Sequence, residues 1–279
     1  MRFGITMFAT DLSMDPVDLA VEAEARGLDS IYLPEHTHIP TSRLTPPPTG
    51  DEELAQEYKR SLDPLVVLAA AAARTTTLRL GTGVMLPAQR EPIVTAKAIA
   101  TLQNLSGGRF CAGIGFGWNE DEMADHGVDY GTRRAHTREH MLAMQALWRD
   151  EVASFDGAHV RISPSWSWPK PDIDVPVLLG GGAGPKMFAH IAEYANGWIP
   201  IGGAGLSTAI PEFKSAVAAA GRDPESMEIV PFGSLPDPGK LEHFASIGVT
   251  EVVMRVPSAG RDVVMPILDE QAALVADLR

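Results

Sequence analysis

The segment Glu35-His36-Thr37-His38 places two histidines two positions apart beside a carboxylate. On an extended chain residues i and i+2 share a face, so the pair has the spacing of metal ligands and equally of an acid/base site. A catalytic metal needs about three protein ligands. The other histidines, at 126, 136, 140, 159, 190 and 243, fall in stretches of helical, loop or hairpin character. No metal site is therefore expected. A histidine that only hydrogen-bonds loop backbone is the plain alternative, and it suits His38 better than His36.

Three glycine-rich runs could meet a ligand. Gly81 and Gly83 interrupt a β-rich run, where glycine marks a bulge, a place where ligand touches backbone, or room for a bulky neighbour. Gly113-Ile114-Gly115-Phe116-Gly117-Trp118-Asn119-Glu120 approaches the dinucleotide fingerprint, but its third glycine falls at 117 where the pattern needs 118. Gly180-Gly181-Gly182-Ala183-Gly184 leads into Pro185 and a helical pattern. Backbone N–H groups converging on a helix start hold phosphate in that way, although a flexible turn would use the same residues. Arg133, Arg134 and Arg138 open another helical stretch. Positive charge there opposes the helix dipole, and Arg134 repels Arg138 at i, i+4. Glu120, Glu122 or an anionic ligand must compensate.

The elements that position these residues alternate along the whole chain. Short apolar runs predict strands at 3–8, 30–34, 78–86, 109–115, 175–180, 197–201, 227–232 and 251–256. Amphipathic stretches predict helices at 16–26, 64–74, 92–105, 132–149, 185–195, 207–220, 238–247 and 261–278. Eight β–α units with continuous apolar strands imply parallel pairing and an α/β fold, a closed (β/α)8 TIM barrel, with a doubly wound sheet as the rival. No linker divides residues 1–279, so one domain is expected. A Pro-rich segment at 37–60 reads as a lid loop, and 151–174 reads as a hairpin insertion turning at Asp156-Gly157 and followed by Trp166 and Trp168. In such a barrel the site lies at the C-terminal strand ends, where the histidine pair and all three glycine runs fall.

The chain carries 23 Lys+Arg against 36 Asp+Glu, a formal charge of −13 over 279 residues. That excludes a generic nucleic-acid binder, which needs a basic footprint. No apolar stretch reaches the roughly 18 residues of a membrane span, and the N-terminal apolar run lacks a cleavage site. One cysteine, Cys111, in an apolar strand fits a reducing compartment, so a cytoplasmic protein is expected.

Taken together, SIYLPEHTHIP, the 63–110 stretch, GIGFGWNEDEMADHGVDYGTRRAHTREHMLAMQALW, WPKP and PVLLGGGAGPKMFAHIAEYANGW resemble the bacterial luciferase-like flavin-dependent oxidoreductases. The likeness is strongest to the short branch that uses the deazaflavin coenzyme F420. It covers most of residues 2–200, and the last third matches in outline.

The resemblance implies an oxidoreductase that transfers hydride between deazaflavin C5 and a small organic substrate. It implies His36 as the catalytic residue at the reactive ring face, with Glu120 as a second candidate. It implies a non-prolyl cis peptide at Gly83-Val84 under the ring, Gly115, Gly117 and Asn119 along the cofactor, and Gly181, Gly182 and Ala183 around its phosphate. The alternatives are an FMN-dependent two-component monooxygenase served by a separate reductase, and a non-catalytic flavin- or deazaflavin-binding protein. The family's basic residues for sulfonate or sugar phosphate have no counterparts here. The helix over 64–74 is apolar nearly all round, which suggests a subunit contact, and the family pairs there, so a homodimer is expected. An acidic chain that binds an anionic cofactor must also gather cations at the mouth, with Arg90, Arg133, Arg134 and Lys186 as candidates.

Overall fold

Carboxylate-proline pairs start four of the helices. Asp15, Asp63, Glu91 and Asp237 each cap a helix by accepting backbone N–H groups, and proline follows at the first helical position, where its missing N–H and fixed φ suit a helix start.

The computed structural model describes residues 1–46 and 53–279. Residues 47–52, with Pro47 and Pro48 of the expected lid, lie outside the described residues. Strands β1 (Arg2–Thr6), β2 (Ser30–Leu33), β3 (Arg79–Thr82) and β4 (Phe110–Ile114) alternate with α1 (Pro16–Ala25), α2 (Pro64–Ala72) and α3 (Pro92–Leu105). A short helix α4 (Glu120–Asp125), the long α5 (Arg133–Arg149) and a hairpin of β5 (Ala153–Asp156) and β6 (Arg161–Ser165) follow. The chain continues through β7 (Val177–Gly180), α6 (Pro185–Tyr194), β8 (Gly197–Ile199) and α7 (Leu206–Ala219). It ends with β9 (Glu228–Ile229), β10 (Phe232–Ser234), α8 (Pro238–Ser246), β11 (Glu251–Arg255) and α9 (Arg261–Asp277).

The sheet order β10-β11-β1-β2-β3-β4-β7-β8-β9 is parallel throughout. Its two ends, β9 and β10, are pieces of one segment interrupted at Val230-Pro231. The Val230 N–H donates to Trp198 O at 2.9 Å on one side, and the Val253 N–H donates to Pro231 O at 3.0 Å on the other. One segment therefore joins β8 to β11, and eight strand positions close into a (β/α)8 barrel without free edges. The doubly wound alternative is excluded. Tyr32, Cys111, Leu178, Ile199, Val230 and Val253 fill the interior as their own cluster, while the larger apolar cluster packs the strands against the helices.

Helix and strand limits differ from the sequence expectation by one or two residues, with two larger departures. The strand expected over 78–86 stops at Thr82, where the Gly83–Val84 peptide is cis. Pairing resumes at Met85, whose N–H donates to Gly113 O at 2.8 Å. The glycine-rich run 113–120 leaves the sheet after Ile114. Asn119 then caps α4, its side chain accepting the Glu122 N–H, a helix outside the eight that the sequence pattern predicts. The hairpin turns over four residues, 157–160, rather than at Asp156-Gly157 alone. Glu139 of α5 holds that turn by accepting the N–H groups of Ala158, His159 and Val160 at 3.0, 2.6 and 3.0 Å.

The barrel's N-terminal end is sealed by charge. Arg79 Nη1 lies 2.6 Å from Glu228 and 2.8 Å from Glu251, Arg2 pairs with both glutamates, and Ser30 donates to Glu251 at 2.5 Å. Beside them burial pushes the Cys111 thiol up to about 12, against the pull of Arg79. A thiol this basic is inert at neutral pH.

Candidate active site

At the opposite end of the barrel, over the C-terminal strand ends, lies a cavity of about 550 Å³, of the size that holds cofactors and small ligands. Its floor forms where β3 gives way to the cis Gly83–Val84 peptide. The Val84 side chain fills the space over Gly115 and Gly180, whose added Cβ atoms would stand 2.5 and 2.7 Å from it. Gly81 has a packing reason instead: the Tyr32 ring occupies the place of its Cβ. Gly117, Gly181 and Gly182 line the wall, and a Cβ on Gly182 would meet nothing within 4 Å. The result is a smooth, small-residue cradle with open space above it.

Glu35 anchors this floor. It is buried, accepts the Leu86 N–H at 2.7 Å and accepts Arg90 Nε at 2.6 Å. Burial pushes its carboxyl above the ordinary value, with Arg90 and the Leu86 N–H opposing. Arg90 also reaches Asp63 at 2.6 Å. Its charge is thereby spent on joining β2 to the start of α2, and it does not line the cavity, contrary to the expectation that it faces an anionic cofactor.

His36 lines the cavity, its side chain 7% exposed. Its Nδ1 lies 2.8 Å from Oε2 of Glu122 on α4, a carboxylate only 1% exposed. With Nδ1–H donated to Glu122, Nε2 is the ring nitrogen that can exchange a proton within the cavity. Oε1 of Glu122 is buried and has no hydrogen-bond partner among the described residues. Tyr58, from the 3-10 turn Gln56–Arg60, and Trp118 pack on the imidazole with ring centroids 5.3 and 5.7 Å away.

The segment that follows His36 is tied to α4. His38 Nε2 donates to Asp125 at 3.0 Å, Thr37 Oγ1 lies 2.7 Å from His126 Nε2, and the Leu44 N–H donates to Asp121 at 2.8 Å. Burial, with His38 beside it, holds His126 below the ordinary histidine value. His38 thus serves the loop and does not line the cavity.

Two arginines also border the cavity. Arg133 and Arg134, the first residues of α5, both line it. Among the described residues neither has a carboxylate partner, and Arg133 Nε and Arg134 Nη1 are buried without an acceptor. Each lies instead over an aromatic ring, Tyr130 at 3.5 Å and Phe116 at 4.2 Å. Burial and the neighbouring Arg133 lower the Arg134 value. The starts of α5 and α6 lack side-chain caps as well. Cationic groups beside helix starts that no side chain caps are an anion site by charge. Arg138, by contrast, pairs with Glu193.

Of the residues singled out from sequence, the structure gathers His36, Gly83, Val84, Gly115, Gly117, Gly181 and Gly182 around one cavity. It does not bring Glu120, Asn119 or Ala183 there. Glu120 is exposed at the first position of α4, so the carboxylate at the histidine is Glu122. Asn119 is buried as a helix cap, and Ala183 is exposed beyond the cavity. Lys186 is exposed and stands outside it as well. Tyr58 and Trp118 carried no separate signal in the sequence. Glu122, expected as a compensating charge for the arginines of α5, pairs with His36 instead; the Asn three residues before it, the pattern of a capped helix start, is the local signal that places it on a helix.

The family model for luciferase-like monooxygenases matches residues 12–235. The chain belongs to this family. Membership places it among oxidoreductases, as the strand-end motifs implied. The family member is 43% identical, over 99% of both chains, to an uncharacterised protein of Mycobacterium tuberculosis. It is 30% identical to the F420-dependent glucose-6-phosphate dehydrogenase of Kineococcus radiotolerans over 74% of this chain and 58% of that one. Among solved structures it superposes on an F420-dependent secondary alcohol dehydrogenase in complex with an F420-acetone adduct, with TM-score 0.79 over the whole of both chains and 20% identity. The monooxygenase RslO1 from Streptomyces bottropensis gives 0.75 at 22% identity, over 99% of this chain and 97% of that one. At these identities the structural likeness speaks for the fold.

Proposed function

We propose that this luciferase-like protein is a coenzyme F420-dependent oxidoreductase acting on a small organic substrate. The observation that carries the reading is the set of features that line one cavity. His36 with Glu122 behind it, the small-residue cradle and two arginines without carboxylate partners among the described residues all border the same space. A deazaflavin supplies hydride chemistry at its ring and carries phosphate and carboxylates on its tail. The cradle of Val84, Gly115, Gly180 and Gly182 suits a flat ring. Arg133, Arg134 and the uncapped helix starts suit the tail, and their combined charge suits its several anionic groups better than the single phosphate of FMN. His36 Nε2 would hold or take the substrate's proton, with Glu122 keeping the ring oriented. The aromatic side chains exclude water from that transfer. A single buried cysteine, Cys111, is in keeping with a cytoplasmic enzyme, and among the described residues no helix is long and apolar enough to cross a membrane.

Fluorescence titration of the purified chain with F420 and with FMN tests the reading. F420 is expected to bind in the micromolar range, and Arg134→Ala to weaken it roughly tenfold by removing a charge-assisted contact. Tight FMN binding with no F420 binding would overturn it and return the two-component monooxygenase with its reductase partner.

We also propose a homodimer. Val66 of α2 is 70% exposed and Val94 of α3 68%, Leu62 and Ile93 are exposed near the starts of the same two helices, and α2 packs on α3, so a second copy could cover these apolar side chains. Light scattering is expected to give twice the chain mass of 29.9 kDa; a monomer at working concentration rules the pairing out.

A further inference from the structure

The cavity lining combines two arginines with a cluster of rings, and the rings bear on what it accepts besides a cofactor. Around His36 three other rings form one continuous wall. Phe8 and Tyr58 lie 4.8 Å apart by ring centroid, Tyr58 and Trp118 6.0 Å, and both Tyr58 and Trp118 pack on His36. The two remaining charged groups that line the cavity are cancelled. Glu35 is buried against Arg90, and Arg255, at the end of β11, is paired with Glu57 at 3.1 Å. Glu57 comes from the same 3-10 turn that supplies Tyr58. One short element thus brings an aromatic ring to the site and neutralises the cation beside it.

We propose that the part of the cavity that Phe8, His36, Tyr58 and Trp118 line together is a substrate site for neutral, largely apolar carbonyl or hydroxyl compounds of about one ring in size, and that it rejects phosphorylated or carboxylated ones. The inference rests on the functional reading above in one respect, that Arg133 and Arg134 are taken by the cofactor's tail. An anionic substrate would otherwise have those arginines to bind. Beside the rings no cavity-lining cation among the described residues is unspent, since Arg43, which lies 6.0 Å over the Trp118 ring and donates to Thr45 O, is not part of the lining, and the anion would lose its hydration without compensation. A neutral ring gains the burial of its apolar area and edge-to-face contact with the wall. A single carbonyl or hydroxyl oxygen finds His36 Nε2 as its hydrogen-bond partner.

Calorimetric titration of the F420-loaded and the cofactor-free chain with acetophenone and with 4-acetylbenzoate, which differ by one carboxylate, tests this by binding alone. Acetophenone is expected to bind the loaded protein at least about tenfold more tightly than 4-acetylbenzoate, given the desolvation of the added charge. Tyr58→Ala is expected to weaken acetophenone roughly five- to tenfold, the size of a lost aromatic contact, with F420 affinity unchanged. Glu57→Gln, which frees Arg255, is expected to narrow the preference by strengthening 4-acetylbenzoate. Preference of the loaded wild-type protein for 4-acetylbenzoate, or no effect of Tyr58→Ala on acetophenone, overturns the proposal while leaving the cofactor reading in place. Acetophenone binding to a chain that ignores F420 supports the ring site and overturns the cofactor reading instead.

Discussion

Replacing His36 by Asn is expected to lower turnover by roughly 10²–10⁴-fold, the usual worth of a positioned proton-transfer group, while F420 affinity stays near the wild-type value. The cofactor's anionic groups would be held at Arg133 and Arg134 and not at His36, so binding and chemistry separate. Glu122→Gln is the sharper case. The amide keeps an oxygen that can accept Nδ1–H at the observed 2.8 Å and keeps the side chain's volume, but it also brings an NH2 that can face the ring, so the tautomer is no longer imposed. Turnover is expected to fall about tenfold or more with little change in KM, and Glu122→Ala to fall further, leaving a buried imidazole nitrogen unpaired. ¹⁵N NMR of the His36 ring gives a readout apart from activity: Nδ1-protonated imidazole in the wild-type protein and a mixture of tautomers in Glu122→Ala. Unchanged turnover in both Glu122 variants, with a wild-type His36 spectrum, removes Glu122 from the site.

The second large effect is on stability and lies at the far end of the barrel. Arg79→Met is expected to destabilise the fold by about 3–5 kcal/mol, because it leaves the wholly buried Glu251 and the neighbouring Glu228 without their principal cation. A lower urea midpoint at unchanged slope would show it, and a second change, Glu251→Gln, is expected to recover part of the loss by removing the stranded charge. The network also sets a pH dependence. Burial alone would raise the Glu228 carboxyl, but Arg79 and Arg2 outweigh it and hold the group below its ordinary 4.5. A carboxylate lowered in the folded state adds stability that is complete above about pH 4.5 and is lost as pH falls through the lower folded-state value. The acid limb of the stability curve should therefore flatten in Arg79→Met. An Arg79→Met midpoint equal to the wild-type one would show that Arg2 alone carries the pairing.

Both effects join residues that sequence reading could not connect. His36 and Glu122 are 86 positions apart, and Arg79 and Glu228 149. The eight β–α units were legible because apolar runs and capped helices leave a local period: Asp63-Pro64 and Glu91-Pro92 announce helix starts, and the glycines after Leu105 announce a stop. The strand-end motifs were specific enough to indicate the family, and the gathering of His36, Gly83, Gly115 and Gly181 at one end follows from parallel strands having all their C-termini on one side.

What local pattern cannot carry is the choice among acidic neighbours and the partners of cations. Glu120, Asp121 and Glu122 are successive residues of equal chemistry. One turn of α4 turns the first to solvent and buries the third against His36, since residues on a helix are rotated by about 100° each. Arg90 and Arg134 look alike as letters, yet the fold surrounds Arg90 with Glu35 and Asp63 and leaves Arg134 over the Phe116 ring. Charge and residue type were therefore readable from the chain, while pairing, burial and the polarity of the cavity arise from contacts made only when distant strands close the barrel.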